Sequence, residues 1–250
     1  MIAALLFAAV SMAPQVTAPV APPIVASADS IRHGKAVELA KLLNPESRLI
    51  DPSGDDYVAN TKAVLIARGK LNDLEAQYPG VIEAMLRASV STMNTQTRRR
   101  VPVLWDRLAD IYMAAFTSAE LDQMLTFYGS PTGQRMMASL DTRMKPKAMM
   151  GDMVKNDDFS VSVGSLQSDL RATVPGVVAD MSATDKTALL IFMRTSAFGK
   201  IAATSGKIQQ ETLAWAQEIV PKDDDELQIV MIEAMQAYIK SKDAKSGATS

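Results

Sequence analysis

The chain has 250 residues, enough for one large domain or two small ones. A composition of 48% hydrophobic and 22% charged residues is that of a folded soluble protein, and a net charge of −2 excludes a global pull toward nucleic acid or an anionic membrane. The absence of cysteine excludes disulfides, thiol catalysis, zinc ribbons, iron–sulfur ligation and a cysteine-linked lipid anchor.

Met1 to Ala28 carries no charged side chain. Its apolar run, Ile2 to Val10, is too short to span a bilayer, which takes about 20 residues. Pro14, Pro19, Pro22 and Pro23 prevent its extension as a helix. The stretch 1–28 therefore reads as an export signal, with Ala26-Ser27-Ala28 before Asp29 as the cleavage site, and predicts a periplasmic or secreted protein. It lacks a basic leading segment, and a cut nearer Ala13 would leave an Ala/Pro/Val tether.

Residues 29–155 read as a helical region. Ile31 to Leu43 forms its first helix, with Val37, Leu39, Ala40, Leu42 and Leu43 apolar, and Asn44-Pro45 ends it. Asp55-Asp56 caps a helix expected to run to Tyr78, where Pro79-Gly80 breaks the chain. A helix over Val81 to Thr97 follows. Arg98-Arg99-Arg100 then precedes Pro102, and a separate helix, Val103 to Ala115, aligns Leu104, Leu108, Ile111 and Ala115, with Trp105 and Tyr112 flanking them. The arginine triplet has the chemistry to grip an anion. A solvated basic helix end is the better account, because no aromatic or further basic pattern surrounds it.

The stretch from Phe116 to Met136 organises the chain. Thr117 and Glu120 spell a capping box, and Phe116 closes over Leu121 as a hydrophobic staple. Leu121, Met124, Leu125 and Tyr128 share one helical face, which Phe127 widens. Gly129-Ser130-Pro131 stops that helix and starts another, with Ser130 as N-cap and Pro131 in its first turn. Gly133 lets the second helix approach the first. Tyr128, Ser130 and Gln134 would line any recognition corner here, but each named residue already has a packing job.

These residues carry a resemblance. Phe116, Thr117, Glu120, Leu121, Phe127, Tyr128, Ser130, Pro131, Gly133 and Gln134 follow the pattern of the bacterial domain-of-unknown-function family 2059. The likeness is specific over this corner and looser from Arg98 to Met153. It implies an exported, all-helical protein of a Gram-negative bacterium, and it brings no catalytic residues with it.

Downstream, Met136, Met137, Leu140 and Met144 continue an apolar face, followed by Met149, Met150 and Met153. Their spacing is that of a helix core rather than of a copper carrier, and a soft hydrophobic surface is the alternative use. Asn156 to Ser168, polar and containing Gly164, reads as a connector. The boundary is placed there, and residues 156–242 form a second helical region. Within it, Met181 to Asp185 echoes the staple and capping box. Leu189-Leu190 and Phe192-Met193 match Met124-Leu125 and Phe127-Tyr128, and Thr195 matches Ser130. Gly199 and Lys200 match Gly133 and Gln134 if one residue is inserted. A divergent repeat and a coincidence between two ordinary capped helices both remain open. A long helix, Phe198 to Val220, aligns Ile208, Thr212, Trp215 and Ile219, and Pro221 stops it. Asp223 to Glu226 lacks the ligand spacing of a calcium loop and reads as an acidic cap for a helix from Leu227 to Ile239. Residues 243–250 read as a disordered tail.

The single histidine, His33, lies on a polar helix edge, which leaves a catalytic triad or multi-histidine metal site without support. No acid stands isolated on an apolar face, so nothing nominates a catalytic pair. Few aromatics (5%) and 16 methionines suit adaptable helix packing. The expectation is an all-α, irregular multi-helix bundle built from helical hairpins, with two weakly related halves if the repeat is real. It is expected to be a non-catalytic periplasmic protein that needs no cofactor or metal and binds a protein or envelope component. Homodimerisation through an exposed hairpin face is a further expectation. The alternatives are a carrier or sensor of a small apolar ligand in a Met-rich cavity along Met136–Met153, and a carboxylate-based cell-envelope enzyme.

Overall fold

The computed structural model describes residues 28–218 and 220–247. The expected export segment apart from Ala28, the helix-face residue Ile219, and positions 248–250 of the expected tail lie outside the described residues. Among the described residues there are twelve helices and no strand: α1 (Ala28–Leu43), α2 (Glu46–Leu49), α3 (Asp55–Ala67), α4 (Asn72–Gln77), α5 (Val81–Ala115), α6 (Ser118–Gly129), α7 (Pro131–Arg143), α8 (Lys147–Lys155), α9 (Val163–Asp180), α10 (Ala183–Met193), α11 (Ser196–Gln217) and α12 (Pro221–Gly247). No helix among them is long and apolar enough to cross a membrane. The fold is all-α.

Helix α5 is the spine. At 35 residues it spans about 50 Å, and its two halves serve different cores. On its C-terminal half, Val101, Leu104, Leu108 and Tyr112 pack against Ala36, Leu39, Ala40 and Leu43 of α1 and Leu121 and Met124 of α6. On its N-terminal half, Val81, Ile82, Leu86 and Val90 pack with Val58 of α3 and with Met235, Tyr238 and Ile239 of α12. A third, smaller core joins Met144, Met149, Leu166, Leu170 and Leu213 from the segment α7 to α11.

Local polar chemistry completes helix ends that cannot complete themselves. Gly80, at φ 95°, has no side chain with which to cap α5, and the Glu75 carboxylate accepts from the Gly80 and Ile82 amides at 3.0 Å each. Helix α8 begins after Pro146 without its own cap. The buried Asp169 of α9 accepts from the Ala148 and Met149 amides at 2.9 and 3.0 Å.

Several element boundaries differ from those expected. The helix expected from Asp55 to Tyr78 is two helices, because Gly69 takes φ 72° between α3 and α4. Pro102 does not divide α5. It lies on the solvent side beside Arg98 and Arg99, where water can serve the carbonyl that proline leaves unpaired. Pro175 sits within α9 on an exposed position in the same way. The methionine-rich stretch is two helices, α7 and α8, with Met137, Met144 and Met149 buried in the core. The connector expected to reach Ser168 ends sooner, where Ser162 caps α9 by accepting from the Ser165 amide. Pro221 starts α12 rather than only ending α11, and α12 runs through the first positions of the expected tail to Gly247.

Candidate functional site: the motif hairpin and its groove

Each motif residue has a defined place. The Thr117 hydroxyl accepts from the Glu120 amide at 3.3 Å, and the Glu120 carboxylate accepts from the Thr117 amide at 2.8 Å, so the capping box is complete. Phe116 and Leu121 are buried in the same core. Ser130 accepts from the Gly133 amide at 3.2 Å and donates to the Phe127 carbonyl at 2.6 Å. The Gln134 amide donates to the Tyr128 carbonyl at 2.7 Å, closing the end of α6. Tyr128 is buried, and burial pushes its hydroxyl up to about 12. Pro131 opens α7, and Gly133 is buried at the point where α7 meets α6. Tyr128 is thus buried at the corner, Ser130 half-buried and Gln134 exposed, with Ser130 and Gln134 both bonded within the hairpin.

The downstream echo packs directly on this hairpin. Phe127 and Phe192 stack with ring centroids 4.1 Å apart and planes 2° from parallel. Thr195 caps α11 as Ser130 caps α7, accepting from the Phe198 amide at 3.3 Å and donating to the Phe192 carbonyl at 2.7 Å. Ser182 caps α10 by accepting from the Asp185 amide at 3.1 Å. Thr117 and Ser182, Glu120 and Asp185, Phe127 and Phe192, Ser130 and Thr195, and Arg135 and Lys200 stand at one constant offset in sequence. At that offset no insertion is needed before Gly199, and Gly133 falls opposite Phe198, whose ring packs edge-on against Phe192 at 5.7 Å.

Behind α10 lies a groove of about 710 Å³ between α7, α9 and α10. Met136, Val177 and Met181 supply its apolar surface, and Arg135, Ser139, Arg143, Lys145, Asp180 and Asp185 its polar one. Asp185 accepts from Thr132 at 2.6 Å, from Ser182 at 2.8 Å and from both Nε and Nη2 of Arg135. The Arg135 guanidinium chiefly holds its carboxyl well below the usual carboxylate range. Arg143 grips Asp180 with two nitrogens, and Ser139 donates to the same carboxylate at 3.0 Å, which lowers its pKa as well. Gly176 leaves the flat seat on which the Arg143 guanidinium lies.

Two acids facing one cleft would be the mark of a carboxylate enzyme. Here both are ionised partners of arginines, whereas a general acid needs a raised pKa. The carboxyl that burial does raise, Asp141, sits beside Arg48 and does not line the groove. Among the described residues, no three His, Cys, Asp or Glu side chains gather as a metal site would need. The arginine triplet is occupied: Arg98 pairs with Glu46 at 2.8 Å, Arg99 with Asp223 at 2.9 Å, and Arg100 with Glu218 at 3.6 Å. His33 is exposed on α1.

Apart from Met136, Met181 and Asp185, the groove residues were not singled out from the sequence, although a signal existed. Thr132, Arg135, Ser139 and Arg143 recur at helical spacing and form a polar stripe beside Met136. Their acid partners come from two other helices, which spacing along one helix does not reveal.

The segment from the second half of α5 through α6 and α7 into α8 can now be placed. Residues 104–153 match DUF2059, an uncharacterized protein conserved in bacteria. The DUF2059 segment contains the whole motif hairpin and one wall of the groove; Asp180, Met181 and Asp185 lie beyond it. No curated protein and no solved structure matches the chain.

Proposed function

We propose that the protein is an exported, non-catalytic helical protein of the periplasm that binds a protein or envelope component through the groove between α7, α9 and α10. The groove carries this reading. It has room for a side-chain cluster or a small ligand, with a Met136–Met181 surface that adapts its shape to what it meets. Its Arg–Asp pairs are mutually satisfied, which suits a fixed recognition rim better than acid–base chemistry. Two of the helices that line it also expose apolar side chains: Val174 and Val178 of α9, and Leu190, Ile191 and Met193 of α10. The uncharged stretch Met1–Ala28 supports export.

The second reading, a carrier of a small apolar ligand, draws on the same Met136–Met181 surface. Met144 and Met149 are core residues, so a cavity along the whole of Met136–Met153 gives it no support.

The test is native mass spectrometry, with and without crosslinking, on the chain taken gently from the periplasm of its host. It is run for the wild type and for Ala138→Trp, which fills the groove from an exposed position. A crosslinked partner lost in the variant is the expected result. A small-molecule adduct lost in the variant would favour the carrier. A partner that persists unchanged in Ala138→Trp would overturn the groove as the binding site.

A further inference from the structure

The contact between the two hairpins is reciprocal. Glu120, in the first turn of α6, accepts a salt bridge from Lys200 of α11 at 2.6 Å. Asp185, at the equivalent place in α10, accepts one from Arg135 of α7, the equivalent of Lys200. Near the centre, Phe127 stacks on its own counterpart, Phe192. When residue i of one half meets residue j of the other, and j meets i, the contact has the form of a two-fold interface between identical subunits. Here that form is written within one chain.

The substitutions between the halves conserve the contact chemistry. The acid stays an acid, the base stays a base, and the stacked ring stays a phenylalanine. The α6–α7 face is therefore complementary to itself. Facing a second copy, Glu120 would meet Arg135 and Arg135 would meet Glu120, with Phe127 on Phe127.

We infer that the α6–α7 face is a self-recognising surface whose partner is a second copy of the hairpin, and that α10–α11 fills that partner's place within the chain. The covalent link gives the internal copy a high effective concentration and keeps a second chain out. It also means that the motif face is already occupied, so an external partner must bind elsewhere or displace α10. At the second corner Phe198 stands opposite Gly133, with its ring edge-on to Phe192.

The test uses charge exchange in the full chain, read by light scattering across a wide concentration range and by circular dichroism. In Glu120→Lys with Arg135→Glu, both internal pairs become repulsive, while two such faces still attract each other between chains. The same holds for Asp185→Lys with Lys200→Glu. The expected result for each double variant is a folded chain whose mass rises toward twice that of the wild type with concentration. The quadruple variant restores both internal pairs with reversed sign, and its mass returns to the wild-type value. A folded monomer for the double variants, or a quadruple variant that stays dimeric, overturns the inference. If both double variants lose their helical signal, Lys200→Glu, with only one repulsive pair, is measured in the same way. A concentration-dependent dimer then supports the inference and a folded monomer overturns it.

Discussion

Replacing Gly133 by alanine adds one methyl group where the two helices of the motif hairpin touch. That methyl would stand 2.7 Å from the Tyr128 α-carbon and 2.9 Å from the Tyr128 carbonyl oxygen, and it would also press on the Phe127 carbonyl. All three neighbours are backbone atoms, so no rotamer change relieves the clash. Two effects oppose each other. Alanine gains about 1 kcal/mol of helix propensity over glycine, whereas overpacking costs about 1–3 kcal/mol and more when backbone must move. Because the neighbours here are backbone, the clash wins, with an expected net loss of about 2 kcal/mol. For a chain of this size that lowers Tm by about 4–8 °C. Gly199 provides the control. It is exposed within α11 with nothing near its missing side chain, so Gly199→Ala meets only the propensity gain and should raise Tm by about 2–4 °C. Denaturant unfolding followed by circular dichroism gives both values, provided the slope of the transition is unchanged. A Gly133→Ala protein as stable as the wild type, or a Gly199→Ala protein equally damaged, would refute the assignment of Phe198 rather than Gly199 as the counterpart of Gly133.

Further outcomes follow from the same contacts. Lys200, first among several hydrogen-bonding partners, depresses Glu120 from 4.5 to about 2, and a depressed carboxyl stabilises the fold above its unfolded value and loses that contribution as pH falls. Loss of this pair should therefore remove about 1–2 kcal/mol of stability between about pH 4.5 and pH 2, after allowance for solvent screening at the half-exposed Lys200, and Glu120→Gln should lessen the fall of the denaturant midpoint over that window by that amount. An unchanged pH profile in Glu120→Gln would dismiss the pair as a stabilising contact. Phe127→Ala and Phe192→Ala should each cost about 3–5 kcal/mol, and a double-mutant cycle should return a coupling of about 0.5–1.5 kcal/mol for the stacked pair. A coupling of zero would contradict the stacking. The Tyr112 hydroxyl is fully buried and has no hydrogen-bond partner among the described residues, and burial raises its pKa strongly. Tyr112→Phe removes that unpaired group and should be neutral or stabilise by about 1 kcal/mol. A clear loss of stability would show that the hydroxyl has a partner.

What the sequence revealed divides along a physical line. The capping box at Thr117–Glu120 and the Ser130–Pro131 start of α7 rest on atoms three residues apart, and such local chemistry is written directly in the chain. Pro102 misleads for the opposite reason. Its effect depends on whether the carbonyl it leaves unpaired faces water or protein, which only the packed helix decides. Gly69 looks like a tolerable helix residue until its left-handed backbone separates α3 from α4. The match of Gly199 to Gly133 followed residue identity, whereas the caps and the crossed ion pairs share a register that pairs Gly133 with Phe198. Asp185 was legible as a cap. Its hold on Arg135, and with it the groove, was not, because the two belong to helices that only tertiary packing brings together.

The closing of α12 over the start of α5 has a consequence in time. Tyr238 donates to the Pro79 carbonyl at 2.6 Å, and Met235 and Ile239 cover Val81, Ile82 and Leu86. The chain leaves the ribosome N-terminus first at about 5–20 residues per second, so that strip of α5 waits on the order of ten seconds for its cover. During that interval the nascent chain shows its surroundings an apolar surface that the finished molecule hides. Its safety from aggregation then depends on whatever holds it until the last helix arrives.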